Sequence, residues 1–211
     1  MNSGFQSNEG WTVTDLWYER NGIHYPRTTA VLKHTLYNPA LEAWRLRVGF
    51  DQSEQIKNDA AIRGTNVHDI LKKLARDEKI EIPKEYENHA NQFAKFREHY
   101  APKFIATERT LFSEKHVFAT TGDAIATIEG LASKPLAVEY KTSKDLYPSH
   151  FYQAAAEAKL VEENGIEVDG ALLVLIRPTE YRIHFMEKQE VEKYFNRFLG
   201  FLDHFREFVL G

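Results

Sequence analysis

Leu136-Ala137-Val138-Glu139-Tyr140-Lys141 is the stretch on which the reading of the chain turns. A strand alternates its side chains with a period of two, so Leu136, Val138 and Tyr140 share one face while Ala137, Glu139 and Lys141 share the other. Two charges therefore stand on one face of a strand that is otherwise apolar. Burying an ionised carboxylate or ammonium without a partner is costly, so the pair either satisfies itself as a structural ion pair or serves a site. The acid-x-Lys pattern also occurs in Asp77-Glu78-Lys79 and Glu157-Ala158-Lys159, in hydrophilic or helical surroundings where a solvated face accounts for it. Only the copy at 139–141 interrupts an apolar strand.

Downstream, HFYQAAAEAKLVEENG (150–165) reads as an Ala-rich helix stopped by Gly165, and GALLVLIRP (170–178) as a continuous apolar strand of a sheet interior. Strand, helix, strand implies a crossover connection, right-handed by the general rule. YRIHFM (181–186) adds an edge strand, and 188–209 closes with an amphipathic helix carrying Phe195, Phe198, Leu199, Leu202, Phe205 and Phe208. Upstream, β-branched and aromatic residues cluster over 105–128, as in two antiparallel strands joined near Lys115 and His116. Before them the period is helical: 39–49 behind a Pro and before a Gly, 66–76 with Val67, Ile70, Leu71 and Leu74 on one face, and 86–100 with Phe93, Phe96 and Tyr100. The class is α/β, a mixed central sheet flanked by helices, with helices dominating the first half. No linker separates the parts. The chain reads as one domain with a mainly helical portion at 23–100, an αβ core at 105–185 and a closing helix at 187–211.

Composition narrows the chemistry. Among 211 residues, 27 Lys and Arg face 31 Asp and Glu, a net charge of −4, which argues against a nucleic-acid binder working by bulk charge but leaves local patches open. The chain has no Cys, so disulfides, zinc ribbons, thiol nucleophiles and thiolate-held iron–sulfur clusters are excluded. Any metal must sit on His, Asp or Glu. The longest apolar run, 171–176, is far short of the ~20 residues of a membrane span, and the opening MNSGFQSNEG has the features of neither an export signal nor an anchor. Residues 1–20 hold one Arg and three acids, the opposite of a transit peptide, and a cytoplasmic setting is expected.

Sixteen residues before Glu139, Asp123 interrupts a second strand pattern, with Gly122 beside it to let another group approach the backbone. Read alone, Asp123 is equally a turn residue. Two carboxylates on adjacent strands, with a backbone carbonyl, make a hard oxygen site suited to Mg²⁺ or Mn²⁺ and hence to a phosphate substrate. His68, near the start of the 66–76 helix, is either a packed histidine or the third side chain of that site.

Gly64-x-x-x-His68, Glu108, Asp123, Glu139-x-Lys141 and Gln153 follow one another in the order seen in PD-(D/E)XK nucleases of the RecB type, which the chain resembles. Upstream, Tyr25-Pro26-Arg27-Thr28-Thr29-Ala30-Val31-Leu32, the stretch from Pro39 to Trp44-Arg45, and Ala60-Ala61-Ile62-Arg63-Gly64-Thr65 resemble phage exonucleases related to the mitochondrial genome maintenance exonuclease. The likeness covers roughly residues 23–177. It implies a restriction-endonuclease-like core in which His68, Asp123, Glu139 and the Tyr140 carbonyl bind Mg²⁺ or Mn²⁺, Lys141 orients or activates water, and Gln153 positions the Lys141 end or a phosphate, with Glu108 as an accessory acid. Thr142, Lys144 and Arg63 would touch the nucleic acid. Two positions depart from the family: Thr120 stands for a Gly, and Glu157 for the Tyr of a Gln-x-x-x-Tyr helix, where an acid would repel phosphate unless it binds a second cation or faces solvent.

The substrate implied is DNA, single-stranded or with a free end, in replication, recombination or repair, in company with a recombination or single-strand-binding protein. Trp44, Arg45 and Arg47 in one helix, with Tyr25, Arg27 and Tyr37 before them, mix cations and aromatics as single-strand tracks do, although Trp44 at Leu41 + 3 reads first as core. Lys72, Lys73 and Arg76 read as a solvated face. The alternatives are a double-strand exonuclease or endonuclease on the same site, and an inactive nucleic-acid or protein adaptor.

Overall fold

The computed structural model describes residues 10–211 and the backbone of Phe5–Gln6. The reading of residues 1–4 and 7–9 as lacking a leader lies outside the described residues. β1 (Phe5–Gln6), β2 (Trp11–Val13), β3 (Trp17–Arg20) and β4 (Ile23–Pro26) form an antiparallel sheet in chain order. This departs from the expected helical start. Its punctuation is Asn21-Gly22, both at positive φ, the two-residue turn whose backbone twist suits a hairpin. The sheet packs through Tyr18 and Tyr25 onto Phe112 and Ala119.

Three helices follow: α1 (Thr28–Thr35), α2 (Pro39–Val48) and α3 (Phe50–Ala75). Asn38 caps α2 by accepting the Leu41 N–H at 3.0 Å, with Pro39 at the first turn. α3 is longer than the expected 66–76, because Gly64, which costs a helix about 1 kcal/mol, lies inside it rather than before it. A β-carbon at Gly64 would stand in ordinary contact with Thr142 Oγ1 at 3.5 Å, which places this turn of α3 beside the residue that follows the strand 136–141. α4 (Glu87–Tyr100) completes the helical portion.

The central sheet runs in the order β5 (Lys103–Ser113), β6 (Phe118–Thr127), β7 (Leu136–Lys141), β8 (Gly170–Ile176), β9 (Tyr181–Glu187). Only β7 and β8 are parallel, joined through α5 (Pro148–Glu163); the other neighbours are antiparallel. The fold is α/β with a mixed sheet. α6 (Lys188–Phe205) ends the chain with a single π turn, Arg206–Leu210, in which Phe208 is exposed rather than packed.

The alternation read from 136–141 sets the layers. Leu136, Val138 and Tyr140, with Leu172, Val174 and Ile176, face Val67, Leu71, Phe93 and Phe96 of α3 and α4. Ala137, Ala171 and Leu173 face Ala154, Ala155, Ala158 of α5 and Phe198 and Leu202 of α6. The alanines let α5 lie close to the sheet. All seven residues of β8 are buried, and each full burial of a Leu, Ile or Val side chain stabilises by roughly 1.5–3 kcal/mol. No described helix is long and apolar enough to cross a membrane.

β8 opens on Gly170 at φ +154°, where a β-carbon would overlap the Met186 carbonyl oxygen of β9. Gly170→Ala is expected to lower stability by about 1–3 kcal/mol, read as a lower urea midpoint at unchanged slope. An unshifted midpoint would mean that the β8–β9 edge yields freely.

Candidate active site

The site begins where a ladder stops. β6 and β7 pair only from Ala124↔Val138 to Ala126↔Leu136, while β7 stays paired with β8 as far as Lys141↔Leu175. Beyond Ala124 the two strands part, and the Tyr140 N–H, which must find an acceptor in this buried setting, donates to Asp123 Oδ2 at 2.8 Å. Asp123 Oδ1 lies 3.1 Å from Nδ1 of His68, which reaches across from the interior of α3. The expectation that His68 stands near a helix start is corrected by the length of α3.

Across the wedge, Glu139 is 3% exposed and points toward α5. Lys141 Nζ donates to Glu139 Oε1 at 2.6 Å and to Gln153 Oε1 at 2.8 Å, and Gln153 Nε2 donates to Glu139 Oε1 at 2.6 Å, closing a triangle. Glu139 Oε2 is buried without a hydrogen-bond partner. Glu157, one helical turn beyond Gln153, meets Glu139 side chain to side chain and is 1% exposed. It neither faces solvent nor lines the open cleft. The repulsion expected of an acid near a substrate track is weakened because burial, and then Glu139, drive Glu157 toward its neutral form.

His68, Asp123, Glu139, Tyr140, Lys141 and Gln153 line one cleft of about 1040 Å³. Glu108 lies on its rim, with its backbone at φ +52°, a left-handed conformation that costs a non-glycine residue about 1–3 kcal/mol. Its carboxylate pairs with Lys72 Nζ at 2.7 Å. Arg27, one of the cations expected along a strand track, lines the cleft, as do Thr29 and Lys72, which local sequence does not assign to the site. Lys72 is no mere solvated residue: it follows His68 by four on α3, a spacing that puts both on one helix face.

Other expected contacts lie apart. Arg45 is held by Glu42 at 3.3 Å and Glu54 at 2.7 Å, and Arg63 is exposed outside the cleft lining. Lys144 is exposed on the loop after β7, and Thr142 meets α3 at Gly64. Trp44 is half-buried on α2, a helix with no buried residue, so the core reading of Trp44 does not hold.

The charges explain one another. Burial opposes a charged His68, but the Asp123 charge and hydrogen bond outweigh it and raise its pKa. Burial raises Asp123, and His68, Lys141 and the Tyr140 N–H reverse the sign, so its carboxylate is held below the usual range. For Glu139, burial and then Asp123 push the pKa up against the pull of Lys141. Burial and then Glu139 push Glu157 well above the ordinary carboxylate value. Among the described residues no group of three or more His, Asp or Glu already stands arranged to hold an ion; the acids are engaged by His68, Lys141 and Gln153 instead.

No family model and no curated protein matches the chain. A solved structure described as "Crystal structure of SSO0001" aligns with 86% of this chain and 76% of its own, at 15% identity and a TM-score of 0.41. A likeness of that size decides nothing about function, which rests on the site's own chemistry.

His150, in the first turn of α5, accepts the Tyr147 N–H at Nδ1 (3.2 Å), a bond open only to the neutral ring. Burial, then the Lys141 charge, lowers its pKa to about 3. Because the folded value lies below the ordinary 6.5, the unfolded chain takes up a proton that the fold refuses. This group's stabilisation is complete above pH 6.5 and is lost as pH falls toward 3. The Tm of the wild type minus that of His150→Gln is expected to shrink steadily from pH 7 to pH 4; a constant difference would show that the ring does not titrate against folding.

Proposed function

We propose that the chain is a metal-dependent deoxyribonuclease that hydrolyses phosphodiester bonds, an exonuclease taking single-stranded or frayed DNA ends. One observation carries this reading: Asp123, Glu139 and Lys141, from two strands that part at this point, converge with His68 on a single open cleft. The order of these residues, which resembles that of RecB-type PD-(D/E)XK nucleases, adds the choice of DNA and of a free end.

The donor set suits a hard divalent cation. Asp123, Glu139, the His68 imidazole and the Tyr140 carbonyl would hold Mg²⁺ or Mn²⁺, two carboxylates with a carbonyl and an imidazole being the donors such an ion takes. When bound, such an ion supplies stabilisation of charge on the phosphoryl oxygens and a bound water of lowered pKa. Lys141 then acts by position. Its ammonium, fixed between Glu139 and Gln153, presents a charge that needs no reorganisation as negative charge builds on the reacting phosphate. Gln153 orients both members of the pair through one amide. Arg27 adds positive charge along the cleft for the flanking backbone, while Lys72 is paired with Asp69 and Glu108.

The competing structural-pair reading is tested by the same variants. Purified protein with end-labelled single- and double-stranded DNA is expected to release nucleotides with Mg²⁺ or Mn²⁺, and to stop in chelator. Lys141→Gln and Asp123→Asn are expected to lower kcat by at least about 10²–10³-fold while still melting cooperatively. Wild-type protein inert on both substrates in both metals, with variants that only melt earlier, would refute catalysis and leave an ion pair of structural purpose.

A further inference from the structure

Glu157 is a buried acid with no part in the chemistry above, standing where the resembling family carries a tyrosine. It lies on the same face of α5 as Gln153, four residues earlier, and both side chains reach Glu139. On its other side it meets β6. A β-carbon added at Gly122 would overlap the Glu157 carboxyl oxygen and stand 2.6 Å from its Cδ and 3.1 Å from its Cγ. Gly122 is thus the residue that gives Glu157 its room, and it adjoins Asp123. Glu157 therefore occupies the space between β6 and β7 where their ladder has ended, from the α5 side, while the Asp123–Tyr140 bond spans the same gap.

We propose that Glu157 is a positioning residue, a spacer seated against Gly122 that holds Glu139 and Asp123 at the separation the cleft requires. The inference rests on the proposed function for its kinetic consequence but not for its geometry. A carboxyl in this place touches Glu139 with one face and the β6 backbone with the other, so its removal frees Glu139 to swing and lets β6 close on β7. Glutamine has the same shape and offers an N–H to Glu139, so it serves as the conservative replacement.

The test compares wild type, Glu157→Ala, Glu157→Gln and Gly122→Ala by kcat and KM on single-stranded DNA and by the side-chain amide NMR signals of Gln153, which report on its bond to Glu139. Glu157→Ala is expected to lose about tenfold or more in kcat at unchanged KM, as small misplacements of reacting groups do, and to shift the Gln153 signals. Glu157→Gln is expected to restore both. Should Glu157→Ala fail to fold, Gly122→Ala, which displaces Glu157 from the opposite side, is expected to give the same loss and the same shift. Wild-type kcat and unmoved Gln153 signals in folded Glu157→Ala would overturn the proposal and leave the nuclease reading standing. An inert wild type in which Glu157→Ala still moves the Gln153 signals would remove the nuclease reading and keep the positioning role; an inert wild type with unmoved signals would remove both.

Discussion

The Asp123 carboxylate accepting the Tyr140 N–H is the contact on which the site depends. A buried amide must be paired, and in a sheet the neighbouring strand normally does it. Here β6 joins β7 only from Ala124 onward, and the side chain of the preceding Asp123 takes over the role of the missing ladder bond. That substitution opens a wedge in an otherwise closed sheet without leaving an unpaired amide at Tyr140. It also decides which residues can face the opening: Glu139 and Lys141 from the still-anchored end of β7, His68 from α3 above it, and Gln153 from α5 below.

The wedge gathers like charges. Asp123, Glu139 and Glu157 crowd around one ammonium and one imidazole, and the low-dielectric surroundings make each uncompensated charge expensive. The fold meets the cost in graded fashion. Asp123, both of whose oxygens meet a donor, is held as a carboxylate; Glu139, whose two donors share one oxygen, is pushed upward; Glu157, pressed by burial and by Glu139, is driven toward its neutral form. A site tuned this way is short of positive charge at Glu139, which is what a divalent cation would supply in the proposed reading.

Much of this was legible in the sequence because strand periodicity is strict. The faces of 136–141, the hairpin over 105–128 and the parallel step through 150–165 all follow from a period of two giving way to a helical one, and the structure has each of them. The first strands were not read, although Asn21-Gly22 between alternating residues is a turn signal in its own right. Gly64, read as the first member of Gly64-x-x-x-His68 ahead of a helix over 66–76, lies inside α3, which begins at Phe50. Lys72 and Glu157 were beyond local reading for a common reason: each looks like an ordinary charge on a helix, and only the packing of α3 and α5 against the sheet decides that one borders a cleft and the other is sealed beneath it.

The same contrast bears on how a polyanion would be brought to the cleft. The chain's net charge is −4, and the cations of the α2–α3 hairpin are largely spent on neighbours, Arg45 on Glu42 and Glu54, Lys57 on Glu54. That hairpin instead exposes Leu46 at 86% and Phe50 at 68%, an apolar rather than a basic surface. Long-range attraction by the whole molecule is therefore weak, and within the cleft Lys72 is paired with Asp69 and Glu108 and Lys141 with Glu139, while Arg27 donates to the Thr14 carbonyl rather than to an acid. Such an arrangement disfavours indiscriminate coating of a polyanion, and in the proposed reading a divalent cation held by Asp123 and Glu139 would supply the positive charge that the cleft's paired lysines do not. In the proposed reading, a flexible single strand or a frayed end is the form of DNA that enters such a cleft most easily.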